Sequence, residues 1–207
     1  MAQRPVFTPR MRAPYYDVRT VDFDWNPGLN KVQKQKNIAA IHNAFIRQHP
    51  EKKVLEISSK SLQEGGVALS AFNLGKYVPS LGRSVPVECI YQGGKIFSGG
   101  GPYLDLLEGT ARAAKKDPRL QESGRLTGFI FEDIRFPADS GTAFYNWLYI
   151  QALEENPDLS EIVMAYDGFT DIEYNPDKSK ACQARAAAIY VSLKKQGLLD
   201  DDWKKYL

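Results

Sequence analysis

Residues 84–97 read SVPVECIYQGGKIF, and the rest of the chain is best read outward from them. Ser84 followed by Pro86 is a helix-start signal: a capping hydroxyl, then a proline in the first turn, where a missing N–H costs little. A helix running on from there puts Glu88, Gln92 and Lys95 at i, i+4 and i+7, on one face. Val85, Val87, Cys89, Ile90, Tyr91, Ile96 and Phe97 surround that polar stripe. An acid, an amide and an amine on an otherwise apolar helix are costly unless they are paired or used. Gly93 and Gly94 remove side chains beside the stripe, which suits the close approach of a ligand. The plain alternative is a set of charges on a half-exposed helix face.

The segments on either side predict an α+β class. Leu29 to Gln48 carries Val32, Ile38, Ile41 and Phe45 at helical spacing and is stopped by Pro50. Lys53–Ser58 alternates like a strand, Val67–Leu74 suggests a second strand or extended loop, and Leu126–Phe131 a third. Thr142–Glu155 is apolar nearly all round, as a buried helix is, and Asn156-Pro157 ends it. An alanine-rich helix is expected from Lys178 to Gln196. Helices outnumber strands and do not alternate with them regularly, which predicts a mostly helical single domain with a small β-sheet. Residues 1–28 hold Pro5, Pro9, Pro14 and Pro27 and read as an extended arm, with a short strand near Tyr15–Phe23, before a domain spanning 29–207.

With 207 residues, 43% hydrophobic and 25% charged, the chain has the composition of an ordinary globular protein. A net charge of +2 excludes a strongly basic nucleic-acid binder, but residues 1–36 hold seven Lys or Arg against three acids. Such a segment can contact phosphate backbones. Cys89 and Cys182 lack metal spacing and read as reduced thiols of a cytoplasmic protein. No signal peptide and no membrane-spanning run is recognised. His42 and His49 lack companions at ligand spacing, so no metal is expected and catalysis must rest on carboxylates, lysine or a hydroxyl.

Three further groupings could carry chemistry. Residues 164–176 (MAYDGFTDIEYNP) set Asp167, Asp171 and Glu173 among Tyr166, Phe169 and Tyr174. Acids among aromatics in a glycine-containing loop suit a ribose or a cationic transition state, and the spacing is not that of a calcium loop; a capped surface turn would look the same. Ser70, Phe72 and Asn73, preceded by Ser58, Ser59 and Lys60, could hold a base, a ribose and a diphosphate. Gln183 and Arg185 open the last helix, where free N–H groups and a guanidinium can meet phosphate. Gly99–Gly101 lacks the GK[ST] ending of a P-loop.

Taken in order, these segments resemble the NADAR (YbiA-like) superfamily over roughly residues 54–197. Glu88-x-x-x-Gln92-x-x-Lys95 followed by Phe97 is similar to the family's run around a catalytic glutamate. Ser70–Asn73 (SAFN) is similar to its S-N-F segment, and 152–159 with the Asp167 loop follow in family order. The closer likeness is to the members found beside DarT-type toxins, which ADP-ribosylate guanine in DNA. Cys89 stands where the family has histidine, Thr170 where it has tryptophan, and Phe136 is the nearest aromatic to a second family tryptophan.

The resemblance implies a YbiA-like fold and an ADP-ribosyl N-glycosidase that frees guanine from ADP-ribose, without a cofactor. It implies Glu88 as the proton-handling residue and Asp167 as a second carboxylate. Lys95 would act as a diphosphate ligand or as an amine forming a Schiff base. Asn73 and Gln92 would orient hydroxyls and Arg185 would meet phosphate. Ser58, Lys60, Ser70, Phe72, Phe136, Asp171 and Gln183 would complete the ADP-ribose site. The implied substrate is ADP-ribosylated single-stranded or flipped DNA, the product ADP-ribose, and the functional partner a DarT-type toxin, with no membrane involved. Two other readings stand beside it: a glycosidase of small phosphorylated ribosylamines of the riboflavin pathway, and a non-catalytic ADP-ribose-binding or toxin-neutralising protein.

Overall fold

Ala2–Pro9 (β1) and Tyr16–Phe23 (β2) form an antiparallel hairpin, in register from Ala2 opposite Phe23 to Pro9 opposite Tyr16. The computed structural model describes residues 2–175, 179, 181–200 and 203–207. After the hairpin come α1 (Lys31–Gln48), β3 (Val54–Glu56), α2 (Glu64–Ala68), β4 (Gly75–Val78), β5 (Arg83–Pro86), α3 (Val87–Gly93) and β6 (Lys95–Phe97). Then follow α4 (Ala111–Lys115), α5 (Arg119–Glu122), β7 (Leu126–Phe131), β8 (Ile134–Pro137), α6 (Gly141–Glu154), α7 (Pro157–Met164), β9 (Gly168–Thr170) and α8 (Gln183–Lys195). The class is α+β, with the strands shared among three sheets. The expected start of the last helix at Lys178 lies outside the described residues, as does Pro176. No described helix is long and apolar enough to cross a membrane.

The chain divides into two compact units, residues 1–70 with 157–207, and residues 71–156. The first is built on a four-stranded sheet ordered β2-β1-β9-β3, in which β9 runs parallel to β3 and antiparallel to β1. Asn30 caps α1 by accepting from Gln33 N at 2.9 Å, worth about 1 kcal/mol. Ile38, Ile41, Ala44 and Phe45 then lie on one stripe and bury against Val6, Val21 and Phe23 of the hairpin. α7 packs on α8, where the Ser160 and Tyr190 hydroxyls meet at 2.5 Å.

Residues 1–28 are therefore not an arm outside the domain. β1 is an inner strand, and Val6 and Phe7 are buried. Prolines usually mark an edge or no strand at all. Here β9 is only three residues long and meets β1 at Phe7 alone, between Pro5 and Pro9.

The 71–156 unit has a β4/β5 hairpin and a sheet ordered β6-β7-β8. α6 is buried on almost every side, through Phe144, Trp147, Leu148, Tyr149 and Ile150. Phe129 and Phe136 of the sheet each stand 5.0 Å from Phe144, ring centre to ring centre. Asn156 closes α6, donating to the carbonyls of Ala152 (2.7 Å) and Gly75 (2.9 Å).

Two local expectations change. Residues 67–74 form no strand: α2 ends at Ala68, and turns follow. Ser84 does not cap a helix, because residues 83–86 pair with β4 from Val78 opposite Arg83 to Gly75 opposite Pro86. Pro86, with φ −54° and ψ 135°, is the cap residue, and the helix holds only seven residues before β6 begins at Lys95.

Candidate active site

α3 is anchored at its start by two backbone bonds, Val87 N–H to Leu74 O (3.0 Å) and Glu88 N–H to Ala71 O (2.9 Å). Val87, Cys89 and Ile90 are buried around it and α4 and α6 pack against it, so Glu88 and Gln92 are carried inward at 5% and 6% exposure. Buried polar groups of this kind have to be bonded, and these are. Gln92 Nε2 donates to Glu88 Oε1 at 2.8 Å, one helical turn away, and Gln92 Oε1 accepts from Lys95 Nζ at 2.7 Å. The amide orientation follows from its two neighbours: nitrogen to the carboxylate, oxygen to the amine.

Lys95 does not continue the helical stripe. It stands on β6, one element further on, and returns to Gln92 from there. Its Nζ also lies 4.9 Å from the centre of the Tyr91 ring. Burial lowers its pKa to about 8, helped by the like charge of Lys115 and opposed by Glu88. A lysine so placed can act as a neutral amine in mildly alkaline solution.

The glycines that interrupt the helix serve packing rather than a ligand. A side chain at Gly94 would collide with the carbonyl of Ile130, and one at Gly93 with Leu107 and the carbonyl of Tyr103. Gly101, with φ +83°, faces the Lys95 carbonyl just as closely, so glycine is needed there for packing. Cys89 donates to the Gly109 carbonyl at 3.7 Å. Burial and the adjacent Glu88 raise its thiol to about 11, so it stays protonated and unreactive.

Lys115, at the end of α4, is a fourth member of the site that the sequence did not single out. Its Nζ lies 3.6 Å from Glu88 Oε1 and 5.2 Å from the centre of the Phe72 ring. In ARAAKK (111–116) it reads as one more solvated cation; only the packing of α4 on α3 reveals it. Of the other expected residues in this unit, Asn73 is exposed in the turn before β4. Phe136 packs on Trp147 and lines a cavity of about 330 Å³ with Ile96, Phe129 and Arg135.

In the other unit the expected residues fall into separate groupings. Asp167 forms a reciprocal pair with Lys53: Lys53 N–H donates to Asp167 Oδ2 at 3.0 Å, and Asp167 N–H to Lys53 O at 2.8 Å. Asp171 accepts from Glu173 N at 3.0 Å, a capped turn. Buried Ser58 accepts from Lys60 N at 3.1 Å, and the Lys60 ammonium rests on Ser59 Oγ at 3.0 Å. Ser70 is buried. Gln183 donates to Ile57 O at 2.6 Å, and the Arg185 guanidinium stands 5.9 Å from the Tyr16 ring centre.

Glu56, also not singled out by the sequence, holds the segment after β9. Its carboxyl accepts from Thr170 Oγ1 (2.6 Å) and Ile172 N (2.8 Å), and burial raises its pKa. The Thr170 oxygen in turn accepts from His42 Nε2 at 2.9 Å, and burial keeps His42 neutral down to about pH 4. Among the described residues no three His, Cys, Asp or Glu side chains gather as a metal site would.

No curated protein matches the chain. The family described as DarT1-associated NADAR antitoxin matches it from residue 2 to residue 206. With nearly its whole length matched, the chain belongs to the DarT1-associated NADAR antitoxin family.

Proposed function

We propose that this protein is an ADP-ribosyl N-glycosidase that removes ADP-ribose from guanine bases of DNA and so acts as the antitoxin to a DarT-type toxin. One observation carries the reading. Glu88 Oε1 accepts from Gln92 and has the Lys115 ammonium 3.6 Å away, whereas Oε2 takes no hydrogen bond among the described residues. A nearly buried carboxyl with one oxygen fixed and one open is built to exchange a proton with something that is not part of the protein.

The bond to be broken joins the ribose anomeric carbon to the guanine amino nitrogen. Its cleavage passes through an oxocarbenium-like state and needs a proton on the departing amine. Glu88 Oε2 supplies that proton and recovers it from the incoming nucleophile. Lys95 stands on the ribose side. As a neutral amine it takes the other route: the C1–O4′ bond opens to the guanine imine with the proton passing to the ring oxygen, the lysine adds to C1, the guanine amine leaves with a proton, and water hydrolyses the lysine imine and restores the amine; as a cation it holds an oxygen of the ribose or diphosphate. Arg12, Arg19, Lys31 and Lys36 are exposed and are the cations we assign to the DNA backbone.

The direct test is release of ADP-ribose from an ADP-ribosylated single-stranded oligonucleotide, read by mass spectrometry. Wild type should release it and Glu88→Gln should not. Tight binding of the modified DNA without release by wild type would sink the catalytic reading and leave a binder.

A further inference from the structure

We infer that Lys115 is a ligand for the diphosphate of the bound ADP-ribosyl group, resting between Glu88 and Phe72 until that anion arrives. The inference rests on the ADP-ribosyl reading above. Four observations carry it. At 3.6 Å from Glu88 Oε1, the Lys115 ammonium is outside the 2.7–2.9 Å typical of a charge-assisted hydrogen bond. Its three donors are thus not spent on the carboxylate.

The side chain is 57% exposed, whereas Glu88 beneath it is 6% exposed, so Lys115 stands at the solvent side of the carboxyl. Gln92 already fills the inward side of Oε1.

The Phe72 ring, 5.2 Å from Nζ, gives the chain a place to lie without satisfying its donors. The charge balance points the same way. Lys95 and Lys115 surround a single Glu88, and Arg112 and Lys116 stand exposed beside Lys115. An anion with two charges fits such a site better than a neutral nucleoside does. The like-charge effect of Lys115 on Lys95 shows that the two ammonium groups already sense each other.

The test compares wild type, Lys115→Met and Lys115→Arg, using ADP-ribose, ADP and adenosine as calorimetric probes and ADP-ribosylated oligonucleotide as substrate. Methionine keeps the apolar stem over Phe72, and thermal melts verify folding. Lys115→Met should weaken ADP-ribose and ADP about 10- to 100-fold, the usual worth of a charged hydrogen bond, and leave adenosine unchanged. Its KM should rise and lose part of its salt dependence; Lys115→Arg should recover most of the affinity. Release of ADP-ribose by wild type, with unchanged KM and ADP-ribose affinity in Lys115→Met, overturns the assignment alone. Wild type that neither binds nor releases ADP-ribose overturns the reading beneath it, and the assignment with it.

Discussion

Lys95 Nζ donates to Gln92 Oε1 at 2.7 Å although the first residue belongs to a strand and the second to a helix. Through the other end of the same amide, Gln92 holds Glu88. The candidate acid and the candidate amine are thus fixed at opposite ends of one neutral side chain. Gln92→Leu should strand both. It should cost about 1–3 kcal/mol of stability, the price of unsatisfied buried partners, seen as a lower Tm, and slow ADP-ribose release at least about tenfold if the amide orients both groups. Unchanged release in a folded Gln92→Leu protein would show that the link is architectural only.

Glu88→Gln preserves shape and can still bond Gln92 through its own amide. Its stability should stay near that of wild type, while release of ADP-ribose should fall by about 10²–10⁴, the usual size of a general acid–base contribution. Full rate in this variant would remove Glu88 from the mechanism.

Lys95 gives a pH test. Its proton is lost near pH 8 in the folded protein against an ordinary value of 10.5. If Lys95 acts as an amine, kcat should rise with pH and level off above about 8, and borohydride should trap an adduct absent from Lys95→Ala. If it acts as a cation, activity should fall across the same range and no adduct should form. Because Lys115 pushes the Lys95 pKa down, Lys115→Met should move this limb to higher pH. The stability sign is separate. Between about 8 and 10.5 the unfolded chain holds a proton that the folded one has lost, so wild type should gain stability with rising pH relative to Lys95→Met.

His42 sets an acid window. Its folded pKa of about 4 lies below the ordinary 6.5, so the stability it contributes is complete above 6.5 and is lost as pH falls towards 4. Denaturant unfolding should show a one-proton slope there, at most about 1.4 kcal/mol per pH unit, that His42→Gln lacks. Glu56, raised by burial, titrates with the opposite sign in both proteins. Equal slopes in the two would reject the assignment.

The long helices were legible because burial imposes a period: Ile38, Ile41 and Phe45 in α1, and the all-round apolar α6, leave little freedom. Glu88 and Gln92 were legible for the same reason, one turn apart on α3. Lys95 was found for a partly mistaken reason. Counting i+7 assumes a continuous helix, but the helix stops at Gly93 with Gly94 as its cap residue, and Lys95 opens β6. The β1/β2 hairpin was hidden by its prolines, which are tolerated because β9 touches β1 at one residue. Lys115 and Glu56 gave no local signal at all; each acquires its role from a partner far off in sequence.

The placement of β1 governs the order in which the newly made chain can settle. Residues 71–156 form a contiguous unit, with every strand of its two sheets emerging within that span. The four-stranded sheet is the opposite: β1 and β3 leave the ribosome early, but β9, which joins them, follows only at residues 168–170. Loop closure over so long a separation is slow, and domains fold as their sequence becomes available. Residues 71–156 are therefore complete first, and the β1/β2 hairpin waits, half-paired, until residues 168–170 have been made.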